Sequence, residues 1–233
     1  MLLTLPIHDV APATARARIV RLDLDGHDFD YTAGQAVVVG NAGSGPRRPY
    51  SIAGAPEDAR ETGYLELLVG VDAEGRAGSH LTLEPGAEVD VEGPLGRFTF
   101  PERPSERSFL FVAGGTGIAP LRSMLRHALK GALPVQHASL LYSARTPDDF
   151  AYEDEFRALA RRGTIDFRQT VTRAGDTRWG GARGRIDRRA LTTLVHDVES
   201  LCFVCGPASM VDEIPKLLEE IGVARERIRI EEW

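Results

Sequence analysis

The sequence predicts two domains of different class: an antiparallel β barrel or sandwich over residues 1–101, then a doubly wound parallel α/β domain over residues 107–233. Three observations predict this division. The first region carries short β-prone runs punctuated by Gly- and Pro-rich turns. The second alternates apolar strands with segments of helical spacing. Between them Pro101–Glu106, rich in proline and charge, has the composition of a linker.

In the first region, Ala17–Leu24 sets apolar and polar residues around the β-prone pair Ile19 and Val20. Ala36–Val39 is a short apolar run, Tyr64–Val71 is β-rich and Glu88–Glu92 alternates. Turn clusters at Ala42–Pro49, Gly54–Glu57, Asp72–Gly78 and Glu84–Gly86 separate them. In the second region, Ser108–Ala113 reads as a strand. Pro120–Lys130 follows with Leu121, Met124, Leu125 and Ala128 on one helical face. His137–Ser143, Ile165–Thr172, Leu201–Cys205 and Arg227–Glu231 continue as strands. Tyr152–Arg161, with Phe156, Leu159 and Ala160 inward, Arg188–Leu194 and Ser209–Ile221 are the helices between them. Such alternation implies a parallel sheet.

The chain has 233 residues, of which 42% are hydrophobic and 27% charged, enough for a real core. A net charge of −6 and a pI near 5.6 argue against a general nucleic-acid surface. No stretch approaches the ~18 apolar residues that span a bilayer, so no membrane insertion is expected. The start, MLLTLPIHDV, lacks the basic and apolar regions of a signal peptide. A cytoplasmic location is the expectation. The six His residues show no pair at ligand spacing, so no metal is expected.

Cys202 and Cys205 form a C-x-x-C, which invites a dithiol reading. Redox motifs of this spacing begin at a helix N-terminus, whereas Leu201–Cys205 is apolar and β-prone. Residues three apart on a strand lie ~10 Å apart along the chain, and a disulfide needs Cα atoms within ~7 Å. Two cysteines also cannot hold a cysteine-ligated iron–sulfur cluster, so none is expected in this chain.

The clearest local motif is Phe109-Leu-Phe-Val-Ala-Gly-Gly-Thr-Gly-Ile-Ala-Pro120: a strand, a Gly-rich turn and a helix. Gly114, Gly115 and Gly117 let backbone approach a pyrophosphate. The helix N-terminus behind them offers free N–H groups and a partial positive charge. Pro120 suits the first helical turn. By itself such a turn can be merely structural. The spacing departs from G-x-G-x-x-G, and no acid follows about 20 residues on to hold ribose hydroxyls. The next strand ends instead in Tyr142-Ser143-Ala144-Arg145, and the one after in Val171-Thr172-Arg173. Two arginines following neighbouring parallel strands would converge, which fits a 2′-phosphate and hence NADPH.

The first half carries Arg48-Pro49-Tyr50-Ser51. An arginine can clamp a diphosphate, an aromatic ring can stack on a flat ring system, and a serine hydroxyl can donate and accept. Its order and spacing with Gly75-Arg-Ala-Gly-Ser-His-Leu81, Gly93-Pro-Leu-Gly-Arg-Phe98, Gly114–Pro120, Leu141–Arg145 and Cys205-Gly-Pro-Ala-Ser-Met210 resemble the ferredoxin–NADP reductase family over nearly the whole chain.

The resemblance implies an FAD-binding β-barrel over residues 1–101 and an NAD(P)-binding domain over residues 107–233. Arg48 would bind the flavin pyrophosphate. Tyr50, beside Pro49, would pack against the isoalloxazine, and Ser51 would hydrogen-bond near its N5. Gly78 and Ser79 would meet the phosphates. Gly114, Gly115, Thr116, Gly117 and Pro120 would hold the nicotinamide dinucleotide, with Ser143, Arg145 and Arg173 toward its far phosphate. Cys205 would sit beside the nicotinamide, with Gly206, Pro207 and Met210 in the same loop. Glu231 would serve the active site, and Trp233 would cover the flavin. Ser51, Cys205 and Glu231 are thus the candidate catalytic residues. FAD is preferred over FMN, because FMN-using relatives are the minority; the chain leaves little room for an adenine-wrapping loop after Val71. The implied activity is hydride transfer between NADPH and FAD, with electrons passed to a separate ferredoxin, flavodoxin or oxygenase component. Two alternatives stand beside it: an NADH-dependent reductase of a haem protein, free flavin or quinone, and a flavin-binding subunit without turnover. Trp179, in Arg-Trp-Gly-Gly, reads as loop packing.

Overall fold

The structure, a computed structural model, describes residues 1–43, 45–131, 134–173, 175 and 179–232. The chain divides into two compact units. Met1–Phe100 forms the first together with Arg122–Lys130, and the rest forms the second.

The first unit contains β1 (Leu2–Thr14), β2 (Ala17–Asp23), β3 (Ala36–Asn41), β4 (Arg48–Ser51), α1 (Pro56–Thr62), β5 (Tyr64–Gly70) and β6 (Glu88–Leu95). Its six strands pair antiparallel in the order β4-β3-β6-β1-β2-β5. An antiparallel bridge between Ile52 and Leu67 joins the two edges, so the sheet closes into a barrel. Alternate side chains point inward, as strand geometry requires. Leu5 and Ile7 of β1, Val20 and Leu22 of β2, Leu65 and Leu67 of β5, and Val89 and Val91 of β6 are all buried in one core.

Three of these elements have no counterpart in the sequence reading. Strand β1 contains Pro6 and Pro12, and proline normally argues against a strand interior. Here Pro6 closes the β1–β6 ladder opposite Glu88, and Pro12 adjoins a register shift. Strand β4 is only four residues long. Helix α1 begins inside the expected turn Gly54–Glu57, with Pro56 at its first position, a start signal. The Asp58 carboxylate accepts the Ala55 N–H at 2.8 Å and caps it.

The stretch Arg122–Lys130 is held to this unit by buried and half-buried charge. Arg122 donates to the Ala53 carbonyl and to Glu66, both at 2.8 Å. The Ser123 hydroxyl donates to the Gly54 carbonyl at 2.6 Å. Arg126 grips Asp58 twice, at 2.6 and 2.8 Å, and Lys130 reaches Asp58 at 2.7 Å. Burial alone would raise the Asp58 pKa. Hydrogen bonds from Arg126, Lys130 and the Ala55 N–H outweigh it and hold the carboxyl well below the usual range. Asp58→Asn is therefore expected to cost about 1–3 kcal/mol at neutral pH. A depressed carboxylate contributes stability above its unfolded pKa and loses it as pH falls through the folded value. The deficit, read from thermal melts, should shrink as the pH is lowered below about 4; a deficit independent of pH would contradict this account.

The second unit contains β7 (Ser108–Gly114), the start of α2 (Ile118–Lys130), β8 (His137–Ala144), α3 (Glu153–Arg161), β9 (Asp166–Val171), β10 (Ala182–Arg183), α4 (Arg188–Thr192), β11 (Leu201–Gly206), α5 (Ala208–Glu220) and β12 (Ile228–Glu232). Its strands are all parallel, in the order β10-β9-β8-β7-β11-β12. Every residue of β7 and β11 is buried, the mark of strands covered on both faces. Strand β10, of two residues, is too short to show any periodicity. No helix among the described residues is long and apolar enough to cross a membrane.

Candidate functional site

The strand order of the second unit reverses at β7. From there the chain builds outward through β8 and β9, then returns to the other side of β7 with β11. In an open parallel sheet, ligands bind at the carboxyl ends of the strands flanking such a reversal. Strand β7 ends in Gly114, and Gly115–Gly117 form a 3-10 turn that runs straight into α2. Gly115 has φ +55°, a conformation that side chains rarely adopt. The buried Tyr142 on β8 donates its hydroxyl to the Gly115 carbonyl at 3.0 Å and fixes this turn. Ser143 lies opposite Gly114 in the β7–β8 register.

Strand β11 ends in Gly206, and Pro207 leads into α5. The two strand ends meet. A Cβ on Gly114 would fall 2.9 Å from both Met210 Cε and Pro207 Cδ. One on Gly206 would fall 2.7 Å from Met210 Sδ and 3.4 Å from the Gly114 Cα. The predicted residues Gly114, Gly206, Pro207 and Met210 thus form one seam, with the N-termini of two helices behind it. Pro120 is buried in the first turn of α2, and Thr116 stays half-exposed. Met210 and Pro207 fill the space that a Cβ on either glycine would need, so the glycines let the two strand ends pack together, and the paired helix N-termini beside them suit an anionic dinucleotide.

Arg145 and Arg173 are backbone neighbours at the ends of β8 and β9. The Arg173 N–H donates to the Arg145 carbonyl at 2.7 Å. Both residues are exposed, and neither guanidinium has a partner among the described residues.

Cys205 and Glu231 face one another in the register of β11 and β12. Cys205 is 1% exposed. Burial pushes its thiol up, and the Glu231 charge adds to that, so it is a neutral thiol and no nucleophile. Burial likewise pushes Cys202 up to about 12. Both are free, on one strand, as the sequence requires. Burial raises Glu231 to about 7. Trp233 lies outside the described residues. Trp179 donates to the Ala182 carbonyl of its own loop at 2.9 Å and stacks on Phe150 before α3.

In the first unit, Arg48, Pro49, Tyr50 and Ser51 are β4 itself, paired with Val39, Val38, Val37 and Ala36 of β3. Strand alternation puts Arg48 and Tyr50 on one face. The Arg48 side chain is exposed and the Ser51 hydroxyl is half-buried, and neither has a hydrogen-bond partner among the described residues. Gly78 has φ +97°, and the turn it makes presents Ser79 to solvent. These groups fit a flavin nucleotide: a free cation for phosphate, a half-buried ring and an unsatisfied hydroxyl. Sequence reasoning passed over two residues here. Tyr142 shows only as the one phenol in an otherwise small or apolar strand. His80 follows the Ser of the Gly75–Leu81 motif, and nothing in the spacing forecasts that it meets Tyr50.

Comparison with known proteins agrees with this geometry. Residues 5–100 match the oxidoreductase FAD-binding domain model and residues 111–216 the oxidoreductase NAD-binding domain model. The chain is 38% identical over 221 residues to ferredoxin–NADP reductase B of Sorangium cellulosum, covering 90% of this chain and 88% of that protein. It is 32% identical to NADH-cytochrome b5 reductase 2 of Chaetomium globosum, over 78% of this chain and 56% of that longer protein. Among solved structures, the Amycolatopsis cytochrome P450 reductase GcoB superposes with a TM-score of 0.82 at 28% identity, over 99% of this chain and 70% of that one. The second domain supplies the nicotinamide dinucleotide fold and the first the FAD fold, and the chain belongs to the ferredoxin–NADP reductase family of flavin oxidoreductases, which move electrons from NAD(P)H through FAD.

Proposed function

We propose that this chain oxidises NADPH and passes the electrons, through FAD, to a separate acceptor such as a ferredoxin, a flavodoxin or an oxygenase component. The observation that carries the NADPH choice is the pairing of Arg145 and Arg173. Two arginines at adjacent strand ends, joined through their backbones and without acidic partners among the described residues, suit a 2′-phosphate and have no use on NADH. The Sorangium relative is itself an NADP enzyme by name.

The residue roles follow from position. Gly114–Gly117 and Gly206–Pro207 would cradle the dinucleotide pyrophosphate, with Met210 filling the space behind both glycines. Ser143 and Pro120 complete that wall. Arg48 would neutralise the FAD pyrophosphate with the Gly78–Ser79 turn, Tyr50 would pack on the flavin ring and Ser51 would offer its hydroxyl to the ring edge. When bound, FAD accepts electrons in pairs and releases them singly, which bridges a hydride donor to a one-electron acceptor. Cys205 contributes a small neutral wall for the nicotinamide, and Glu231, near neutrality in pKa, can hold or release a proton there. Trp233 would cover the flavin face until nicotinamide enters. Two buried free thiols suit the reducing cytoplasm, where we place the protein.

The NADH-linked reading draws on the cytochrome b5 reductase relative. Calorimetry separates the two. Adenosine 2′,5′-bisphosphate should bind the FAD-loaded protein about tenfold or more tighter than 5′-AMP, the worth of one charge-assisted phosphate contact. Equal binding would favour NADH.

A further inference from the structure

The residue that the functional reading leaves unused is His80. It is 2% exposed, among the most buried polar residues of the first unit. Its Nε2 lies 2.6 Å from the Tyr50 hydroxyl. The two rings are 12° from parallel with centroids 6.1 Å apart. Burial, and then the charge of Arg48, push the imidazole below its ordinary range. Burial raises the Tyr50 phenol. The contact therefore joins two neutral groups, and the single imidazole proton leaves Nε2 either accepting from the phenol or donating to it.

The backbone around His80 is fixed as firmly as its ring. Its carbonyl accepts the Asn41 N–H at 2.8 Å, at the end of β3. The Asn41 side chain accepts the Thr82 N–H at 2.8 Å on the other side. The built Cβ of Gly78 would stand 3.3 Å from His80 Nδ1, so the ring also lies against that turn. Tyr50, by contrast, sits half-buried on a four-residue strand. Its phenol oxygen lies on the long axis of the ring, so a bond there sets where the ring points. A hydrogen bond to that oxygen, from a residue held by its own backbone bonds, restrains the torsion that swings the ring on and off its place.

We propose that His80 is a positioning residue for the flavin: it holds the Tyr50 hydroxyl, fixes where the ring on which the isoalloxazine packs points, and ties that ring to the Gly78–Ser79 turn. One side chain thereby sets the spacing between the ring platform and the phosphate contacts. The proposal rests on the roles given above to Tyr50 and the turn.

The test uses the full chain, freed of FAD and then titrated with it. H80F keeps a flat ring but cannot hydrogen-bond. It should bind FAD about five- to tenfold more weakly, the worth of one net hydrogen bond, and alter the visible circular dichroism of the bound flavin. H80Q, whose amide can meet the phenol, should restore most of both. Y50F removes the same bond from its other end, so H80F/Y50F should be no weaker than either single variant. H80F with wild-type affinity and an unchanged flavin signal overturns the proposal, as do additive losses. Should H80F fail to fold, H80Q near wild type beside a weakened Y50F supports it, and Y50F equal to wild type overturns it. A wild-type chain that takes up FAD only without involving Tyr50, seen as no loss in Y50A, would instead sink the role of Tyr50, and the proposal with it.

Discussion

Arg145→Ala is expected to raise the KM for NADPH by about tenfold to a hundredfold while leaving that for NADH within about twofold. Arg145 is exposed, and its carbonyl accepts the backbone N–H of Arg173, a second exposed arginine. A charge-assisted contact of this kind contributes about 1.5–3 kcal/mol, and solvent screening pulls it toward the lower figure. The lost discrimination should fade at high salt, because exposed charge is screened there. Steady-state kinetics with both dinucleotides read it directly. Equal changes in the two KM values would remove the 2′-phosphate assignment.

Glu231→Gln is expected to lower kcat by about a hundredfold, the lower range for a general acid or base. Burial holds this carboxyl near 7, so it is protonated below neutrality and charged above it. As a proton donor it should give a wild-type kcat that declines above about pH 7, a limb absent from the glutamine variant. Stability should move the other way. A carboxyl whose pKa is raised on folding contributes stability that is full below its unfolded value near 4.5 and is lost as pH rises through 7. Glutamine carries no charge to bury. The variant should therefore be more stable than wild type at about pH 8, by an order of 1 kcal/mol after allowance for partial exposure. A variant less stable at alkaline pH would contradict the burial argument. Its facing partner, Cys205, has its thiol pushed up by burial and so offers no competing proton in this range.

The second domain was legible because its parallel strands are buried on both faces. An apolar run such as Phe109–Ala113 or Leu201–Cys205 then needs no register to be recognised. The glycines that end these strands were legible as a turn, but their packing role was not: spacing does not say that Met210 and Pro207 would fill the space of a Cβ there. The backbone adjacency of Arg145 and Arg173 followed from the pairing of β8 and β9. The barrel was harder to read. Strand β1 hides behind Pro6 and Pro12, whose disruption is absorbed at a ladder end and a register shift that sequence does not reveal. Helix α1 is seven residues long, under two full turns, so its start signal outweighs its periodicity. The apolar face of α2 was visible in Leu121, Met124, Leu125 and Ala128. Its polar face was not, because spacing cannot say that Arg126 would find Asp58, 68 positions away. The His80–Tyr50 contact was invisible for the same reason: 30 residues separate two groups that tertiary closure brings within 2.6 Å.

The central claim is an FAD enzyme that takes its electrons from NADPH. The most direct measurement is the visible spectrum of the purified, FAD-loaded protein, followed anaerobically after NADPH and, separately, after NADH. Flavin bands are expected to bleach with both donors, and about tenfold or more faster with NADPH at sub-saturating concentration. Faster bleaching by NADH would contradict the role of Arg145 and Arg173, and a protein that takes up no FAD would contradict the reading of its first domain.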